Sequence, residues 1–114
     1  MRSESEAAWI GFWEMAVDRQ QLTMLSETYI RDLLQKRLPP ETPVYLYGSR
    51  ARRDQRWNSD FDLWVDGVLP PATLGEIYEL LEESFVPFKV DIVTEVNLRG
   101  RFGEQVRKEA IRWM

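Results

Sequence analysis

The sequence predicts a small α+β domain, in which a mixed β-sheet carries helices on one face and acidic side chains on the other. The chain has 114 residues, which is the size of one domain. Segments with the apolar spacing of helices alternate with short segments that resemble strands. Hydrophobic residues make up 44% and charged residues 30% of the chain, as in ordinary soluble globular domains. The predicted order is two helices, two strands joined by a loop, a helix, a strand and a last helix.

Composition excludes several kinds of chemistry. The chain contains no cysteine and no histidine, which rules out disulfides, thiolate zinc sites and histidine general bases. Any catalysis then depends on carboxylates, hydroxyls, lysine or arginine. The net charge of −4 argues against broad nucleic-acid binding, and the apolar run near the start is too short to span a bilayer. We therefore expect a cytoplasmic protein that binds neither membranes nor nucleic acid directly.

Residues 1–20 are predicted to be an N-terminal helical extension, and residues 21–114 are predicted to be the main domain. Within residues 7–17, Trp9 and Trp13 recur at helical spacing among other apolar residues, which gives a broad apolar face. Such a face usually packs on its own domain, but aromatic residues are also enriched at protein interfaces. The sequence leaves both interpretations open.

A second helix is predicted over residues 22–37, because apolar residues recur there at the spacing of one helix face. Two prolines, Pro39 and Pro40, end this helix, since proline disfavours helical backbone before it. The predicted buried stripe comprises Leu22, Leu25, Tyr29, Leu33 and Leu34.

The first two strands are predicted over residues 44–47 and 61–65, and Gly67 with two prolines marks the turn after them. A third helix is predicted to begin at a capping box formed by Thr73 and Glu76. Its glutamates face the solvent. Its predicted buried stripe comprises Leu74, Ile77, Leu81 and Phe85.

The third strand is predicted over residues 88–93, with Asp91 on the face opposite to Val90 and Ile92. A last helix is predicted over residues 98–113. Arginines and a lysine give this helix a basic side, which is typical of plain surface but could also help to neutralise an acidic partner. Its predicted buried stripe comprises Phe102, Val106, Ala110 and Trp113.

The strongest functional signal lies in residues 44–66. Side chains alternate between the two faces of a strand, so Asp60 and Asp62 share one face and lie about 6.6 Å apart along it. Aspartate is depleted in strands, so two aspartates beside an apolar ladder need an explanation. Magnesium supplies one, because it binds carboxylate and phosphate oxygens without cysteine or histidine.

The turn between these two strands has the features of a phosphate-binding site. Gly48 lets the backbone turn sharply where the first strand ends, and Ser49 offers a hydroxyl and an amide to a phosphate oxygen. A short helix that starts there would add its free N–H groups. Four arginines make the loop locally basic, which would draw a triphosphate to it. These are Arg50, Arg52, Arg53 and Arg56.

The motif resembles that of a known family. The segment GSRARRDQRWNSDFD has the Gly-Ser, ten residues, Asp-x-Asp signature of the polymerase-β-like nucleotidyltransferases, and the short chain resembles their minimal nucleotidyltransferases (MNT). The resemblance covers residues 22–113 and implies the polymerase-β-like fold. The family needs a third carboxylate on a neighbouring strand, and Asp91 in the segment FKVDIVT fits that position. The loop of the family often carries glycine where this chain has Arg53.

The resemblance implies a catalytic site with two magnesium ions about 3.5–4 Å apart. An acceptor hydroxyl would attack the α-phosphorus of ATP and pyrophosphate would leave, with Asp91 as a metal-assisted general base. Either Arg50 or Arg52 would offset charge on the leaving group. The predicted catalytic and metal-binding residues are Asp60, Asp62 and Asp91, and the predicted nucleotide-binding residues are Gly48, Ser49 and Arg50.

The resemblance also implies a partner protein. We expect no second, substrate-binding domain, and minimal nucleotidyltransferases pair with small all-helical proteins of the HEPN or substrate-binding type. In toxin–antitoxin pairs the MNT member is the antitoxin, and it transfers AMP from ATP to a tyrosine hydroxyl of the HEPN ribonuclease toxin. We therefore expect a hetero-oligomer with a toxin of this kind.

Two other functions stay open. The protein could neutralise a helical partner by binding alone, in which case the apolar N-terminal helix would matter more than the aspartates. It could also transfer nucleotides to a small molecule, together with a helical substrate-binding subunit.

The site residues also have plain structural interpretations. Asp60 could be a turn residue, and Asp91 could pair with Lys89 or an arginine. Gly48 could serve only the turn, and Trp57 could cover the loop rather than stack on a base.

Overall fold

The structure is a computed structural model that describes residues 18–114. None of the helices in this part of the chain is both long and apolar enough to cross a membrane. The helix predicted within residues 7–17 lies outside the described residues and stays a prediction. The elements are α1 (Arg19–Arg37), β1 (Val44–Tyr47), α2 (Ser49–Arg52), β2 (Phe61–Val65), α3 (Pro71–Glu82), β3 (Val90–Val93), a 3₁₀ turn (Glu95–Asn97), α4 (Gly100–Glu109) and β4 (Ile111–Arg112).

Helix α1 begins at a capping box. The Gln21 amide donates a hydrogen bond to the Asp18 side chain at 2.7 Å, and the Asp18 amide donates to the Gln21 side chain at 3.1 Å. These bonds satisfy backbone N–H groups that have no partner within the helix. The helix therefore begins at Arg19, earlier than predicted.

The buried side of α1 differs from the predicted stripe. Ile30, Leu33 and Leu34 are buried together with Ser26, whereas Leu25 is 48% exposed. The prediction for Leu25 is wrong because apolar residues flank the true contact face on both sides. The residues that meet the sheet are instead spaced by four and three positions, which is the repeat of a single helix face.

The four strands form one mixed sheet in the order β3-β2-β1-β4. Strand β1 pairs antiparallel with β2 and with β4, and β2 pairs parallel with β3. One face of the sheet is apolar and forms the main core with α1 and α3. Central residues of this core are Ile30, Leu46, Phe61, Leu63 and Ile77. The predicted fold class, a small mixed sheet with packed helices, is confirmed.

The opposite face of the sheet carries the acidic side chains, but it is not entirely open. Tyr47 and Val93 on this face are buried in a second, smaller cluster with Leu98 and Val106. Since Val106 belongs to α4, this helix covers part of the acidic face. The remaining, uncovered part of the face is where a ligand can approach the carboxylates.

Helix α3 begins at Pro71 rather than at the predicted capping box. Proline suits the first turn because its missing N–H would have no helical partner there, and no side chain caps this end of the helix. Glu76 does not reach back to Thr73, because its carboxylate forms an ion pair with Arg37 of α1 at 2.7 Å. The capping-box prediction is therefore wrong.

Two residues of the predicted α3 stripe, Ile77 and Leu81, are buried. Phe85 is 53% exposed, because the helix has ended before it and the chain has left the helical face. Its ring packs edge-on against Tyr29, with the ring centroids 5.4 Å apart.

The last residues of the chain form a strand, where a helix was predicted. Helix α4 ends at Glu109, Ala110 is extended, and β4 pairs with the free edge of β1. The Trp113 amide then donates to the Val44 carbonyl at 2.8 Å. Trp113 therefore packs against the main core and not on a helix face, and Phe102 is 48% exposed. The helical spacing misled the prediction because β1 offers backbone hydrogen bonds that a longer helix would leave unused.

Strand β3 lies at the edge of the sheet and is shorter than predicted. The Ile92 amide donates a hydrogen bond to the hydroxyl of Tyr78 in α3 at 2.8 Å, and the same hydroxyl lies 3.4 Å from the Ile92 carbonyl oxygen. The outward backbone groups of Ile92 are thus satisfied by a side chain.

Candidate active site

Two of the three predicted aspartates lie side by side on neighbouring strands. Asp62 in β2 and Asp91 in β3 are direct partners in the parallel register, so both point to the same face of the sheet from strands about 4.8 Å apart. Asp60 is exposed and directly precedes β2, and its charge acts on Asp62. Within residues 18–114, neither Lys89 nor any arginine forms an ion pair with Asp91, so an ion-pairing role for this residue has no support there.

The surroundings of Asp62 disfavour the ionised form of its carboxyl group. The pKa of Asp62 is raised to about 6, first by burial and then by the negative charges of Asp60, Asp91 and Glu109. Burial, followed by the charges of Asp62 and Asp91, also raises the pKa of the Tyr47 hydroxyl. A cation at this face would relieve the repulsion and favour the ionised form of Asp62.

The donor set of this face fits magnesium. The ion prefers carboxylate oxygens, which the predicted ligands Asp60, Asp62 and Asp91 offer, and their role as ligands stays a prediction. Between residues 18 and 114, however, no three acidic side chains converge closely enough to form a ready-made metal site. The sheet therefore brings Asp62 and Asp91 to one face, but the acidic side chains of the described residues do not converge on a single point.

The turn after β1 requires glycine. Gly48 has a φ of 76°, which side-chain-bearing residues rarely adopt. A Cβ added to Gly48 would overlap Oδ2 of Asp62 and lie 3.1 Å from its Cγ. The turn therefore lies directly against the acidic face. Ser49 then begins the short helix α2, whose first N–H groups have no acceptor within the helix.

Arg53 occupies the loop position at which the family often has glycine. It closes α2 with a φ of 63°, in the left-handed region where glycine is favoured and other residues lose about 1–2 kcal/mol. Its amide donates to the Ser49 carbonyl, as in a helix that ends at glycine. Arg53 therefore adopts the backbone conformation that a glycine would have, at some cost in stability.

Arg50 is buried beneath the loop. Its guanidinium donates hydrogen bonds to the Ser59 carbonyl at 2.8 and 3.1 Å and to the Trp57 carbonyl at 3.2 Å. It also lies 4.0 Å from the ring centroid of Phe61 and 5.0 Å from that of Phe88. Burial lowers the pKa of Arg50. The side chain thus fixes the end of the loop just before Asp60.

Trp57 packs against the first turn of α1. Its ring lies 4.4 Å from the Arg19 guanidinium and meets Phe88 edge-on, with centroids 6.2 Å apart. It remains 43% exposed. These contacts join the loop to α1 and to the segment before β3, and stacking on a nucleotide base stays a prediction.

Glu109 is a residue of this site that sequence reasoning missed. The Gly48 amide donates to its Oε1 at 2.7 Å, and Nη1 of Arg52 donates to its two oxygens at 3.2 and 3.1 Å. Burial alone would raise the pKa of Glu109, but hydrogen bonds from Gln105, Gly48 and Arg52 hold it below its ordinary value. No local motif could reveal this contact, because Glu109 lies 61 positions from Gly48.

This arrangement is that of a nucleotidyltransferase. Residues 29–112 match the family model described as polymerase beta, nucleotidyltransferase, and the match spans most of the chain. The protein therefore belongs to the polymerase-β nucleotidyltransferase family. The enzyme class predicted from the Gly-Ser turn and the Asp-x-Asp strand is thus confirmed. No match is found among curated proteins.

Solved structures relate the chain to the minimal members of this family. A candidate minimal nucleotidyltransferase is 31% identical, with a TM-score of 0.58, over 82% of this chain and 94% of that chain. A toxin–antitoxin complex with AMP-PNP contains a chain that is 26% identical, with a TM-score of 0.62, over 77% of this chain and 72% of that one. The complex of a tri-AMPylated Shewanella oneidensis HEPN toxin with its MNT antitoxin shares the fold, at 22% identity and a TM-score of 0.58, over 80% and 71% of the two chains. The predicted resemblance to MNT antitoxins is confirmed.

Proposed function

We propose that this nucleotidyltransferase moves AMP from ATP to a tyrosine hydroxyl of a small helical HEPN-type toxin and thereby acts as its antitoxin. The observation that carries the proposal is the register of Asp62 against Asp91, directly beside the Gly48 turn. Transfer of a nucleotide needs carboxylates for magnesium next to a place for phosphates, and these two features adjoin here. The choice of partner is supported by similar structures that are a toxin–antitoxin complex with AMP-PNP and an AMPylated HEPN toxin with its MNT antitoxin.

In this proposal the residues of the chain divide the work. Free N–H groups and the hydroxyl of Ser49 bind the triphosphate at the Gly48 turn. Asp60, Asp62 and Asp91 would hold magnesium, which would neutralise phosphate charge and lower the pKa of the acceptor hydroxyl. A carboxylate oxygen of Asp91 accepts the proton of the tyrosine hydroxyl while the tyrosine oxygen bonds to the α-phosphorus. The bond from the α-phosphorus to its bridging oxygen breaks, and pyrophosphate leaves.

Arg50 contributes to nucleotide binding indirectly in this proposal. Its buried guanidinium is engaged by loop carbonyls and aromatic rings, so it shapes the loop just before Asp60. A direct contact between Arg50 and the nucleotide stays a prediction from the sequence.

Substitution of the aspartates tests the function. We expect Asp91→Ala to lower AMP transfer by about 10²–10⁴-fold, because a general base is removed, and Asp60→Ala to abolish it. Asp66→Ala is the matched control, since Asp66 is an exposed aspartate just beyond the other end of β2. The measurement is mass spectrometry of the protein encoded by the neighbouring reading frame, co-expressed with each variant, for the added mass of AMP. Melting temperatures establish that the variants are folded.

The outcomes separate the rival functions. Full transfer by folded Asp60→Ala would contradict the proposal. Label from ATP on a small molecule, with none on the partner, would favour a small-molecule nucleotidyltransferase. Protection from the toxin by a variant that lacks all three aspartates would indicate an antitoxin that acts by binding alone.

A further inference from the structure

A carboxylate from the far end of the chain holds the turn that the proposed function assigns to phosphate binding. Glu109 is the last residue of α4, and its side chain is only 10% exposed. It accepts four hydrogen bonds, from the Gly48 amide, from Arg52 twice and from Gln105. Its acceptor capacity is therefore used within the protein.

The turn needs support from outside itself. Gly48 and Arg53, at the two ends of α2, both have positive φ angles, and such conformations persist only when surrounding contacts hold them. Helix α2 has four residues, far fewer than a helix needs to be stable alone. Arg50 fixes the later part of the loop, whereas Glu109 holds the first residue of the turn.

Glu109 is supported by rigid elements on both sides. Val106, one turn earlier in α4, is buried against Tyr47 and Val93 of the acidic face. Immediately after Ala110 the chain pairs with β1 as β4. The carboxylate is therefore placed by the sheet itself. If Glu109 only filled the phosphate site until a nucleotide displaced it, it would need neither this support nor four hydrogen bonds that nucleotide binding would have to break.

We propose that Glu109 is a positioning residue for nucleotide binding. By holding the Gly48 amide and the Arg52 guanidinium, it fixes the turn in the conformation that presents Ser49 to phosphate. Arg52 is paired with both Glu109 and Asp54 at 3.1 Å, so its charge serves this clamp rather than the nucleotide. The inference rests on the proposed function of the turn.

Three substitutions of Glu109 separate the hydrogen bond from the charge. Glu109→Ala removes the acceptor, and Glu109→Asp withdraws it by one methylene. Glu109→Gln keeps an oxygen for the Gly48 amide. Glu104→Ala is the matched control, because Glu104 is an exposed glutamate on the same helix.

We expect the alanine and aspartate variants to bind AMP-PNP with magnesium about tenfold more weakly, as the loss of a charge-assisted hydrogen bond implies. Glu109→Gln should stay within about threefold of the wild type, since it keeps the oxygen for the Gly48 amide, and an ion pair with a half-exposed Arg52 contributes little. In transfer assays the weakened variants should raise KM for ATP and leave kcat nearly unchanged. Isothermal titration calorimetry gives the affinity, and NMR hydrogen exchange of the Gly48 amide reports the clamp directly. Exchange should accelerate in the alanine and aspartate variants only.

Three results would overturn the inference: tighter or unchanged AMP-PNP binding by Glu109→Ala, unchanged Gly48 exchange in that variant, or a Glu109→Gln variant as weak as Glu109→Ala. If Glu109→Ala does not fold, the comparison of Glu109→Asp with Glu109→Gln decides. A wild-type protein that binds no AMP-PNP would overturn the proposed function instead, and Gly48 exchange would then decide separately whether the clamp exists.

Discussion

Single residues set the geometry of the turn between β1 and β2. Gly48 combines a positive φ with a close approach to the Asp62 carboxylate, so its lack of a side chain serves two purposes. Arg53, at the other end of α2, has a similar φ angle. It already carries a Cβ, so its position does not require the absence of a side chain. Gly48 is therefore the position in the turn at which substitution is least tolerable.

We expect Gly48→Ala to lower the free energy of unfolding by about 2 kcal/mol, because alanine would be strained at this φ and its Cβ would push Asp62 away. Gly75→Ala is the matched control. Gly75 lies within α3, and a Cβ there meets nothing within 4 Å, so alanine should stabilise the helix by about 0.5–1 kcal/mol. Urea denaturation measures both. Equal effects of the two substitutions would contradict the structure.

At this scale the sequence predicts local contacts well and distant ones poorly. Gly48, Asp60 and Asp62 follow from spacing along one strand–turn–strand unit, because strand alternation is a local property. The contact of Glu109 with Gly48 joins positions 61 residues apart, and no periodicity encodes it. The burial of Arg50 was also missed, because the conformation of the loop that folds back over its guanidinium is not encoded by any periodicity.

At the scale of elements, the C-terminal strand is the main departure from the predicted structure. The apolar spacing through residue 113 fits a helix, but strand β1 has a free edge that β4 fills. Trp113 is thereby brought against Phe61 of the main core, with ring centroids 6.1 Å apart, and the Arg31 guanidinium lies 4.5 Å from its ring. Tertiary pairing overrides a local helical pattern here.

We expect Trp113→Ala to destabilise the protein by about 2–3 kcal/mol, since it removes a half-buried aromatic ring from the core. A helix over residues 98–113 would make Phe102 equally important. In the structure Phe102 is 48% exposed, so Phe102→Ala should cost only about 1 kcal/mol. Thermal and urea unfolding of both variants provides the comparison. A larger loss for Phe102→Ala than for Trp113→Ala would contradict the strand.

At the scale of the whole molecule, the acidic face links stability to pH. The folded-state pKa of Asp62 is about 6, above its ordinary value of 3.8, so the folded protein binds a proton that the unfolded chain has released. The stability that this proton contributes is fully present below about pH 4. It is lost as the pH rises through about 6. At neutral pH the protein without a bound cation is therefore less stable than it would be with an uncharged side chain at this position.

Asp62→Asn tests this linkage. Because asparagine cannot ionise, we expect the variant to be more stable than the wild type by roughly 1–2 kcal/mol at pH 8, after allowance for solvent screening. The difference should vanish near pH 3, where Asp62 is mostly protonated in both states. Melting temperatures in the presence of EDTA at the two pH values give the measurement. An equal gain for Asp62→Asn at both pH values would refute the argument.

The helices and the mixed sheet were easier to predict than which face of the sheet each helix covers. Alternation of helical and strand patterns gave the mixed sheet and the face that carries Asp62 and Asp91. The pattern could not reveal that α4 covers part of this face, because apolar spacing identifies the buried residues of a helix without identifying the surface they meet. Val106 was correctly predicted as buried, but its neighbours Tyr47 and Val93 come from two different strands, which the spacing within the helix does not identify.

The small bond between Tyr78 and Ile92 has a consequence for how the molecule meets others. An unprotected outer strand invites edge-to-edge joining of molecules and fibre growth. Here a phenol oxygen occupies the outward groups of Ile92, and the strand at the other border has only two residues. Edge-to-edge joining of copies through the backbone of Ile92 is thereby discouraged.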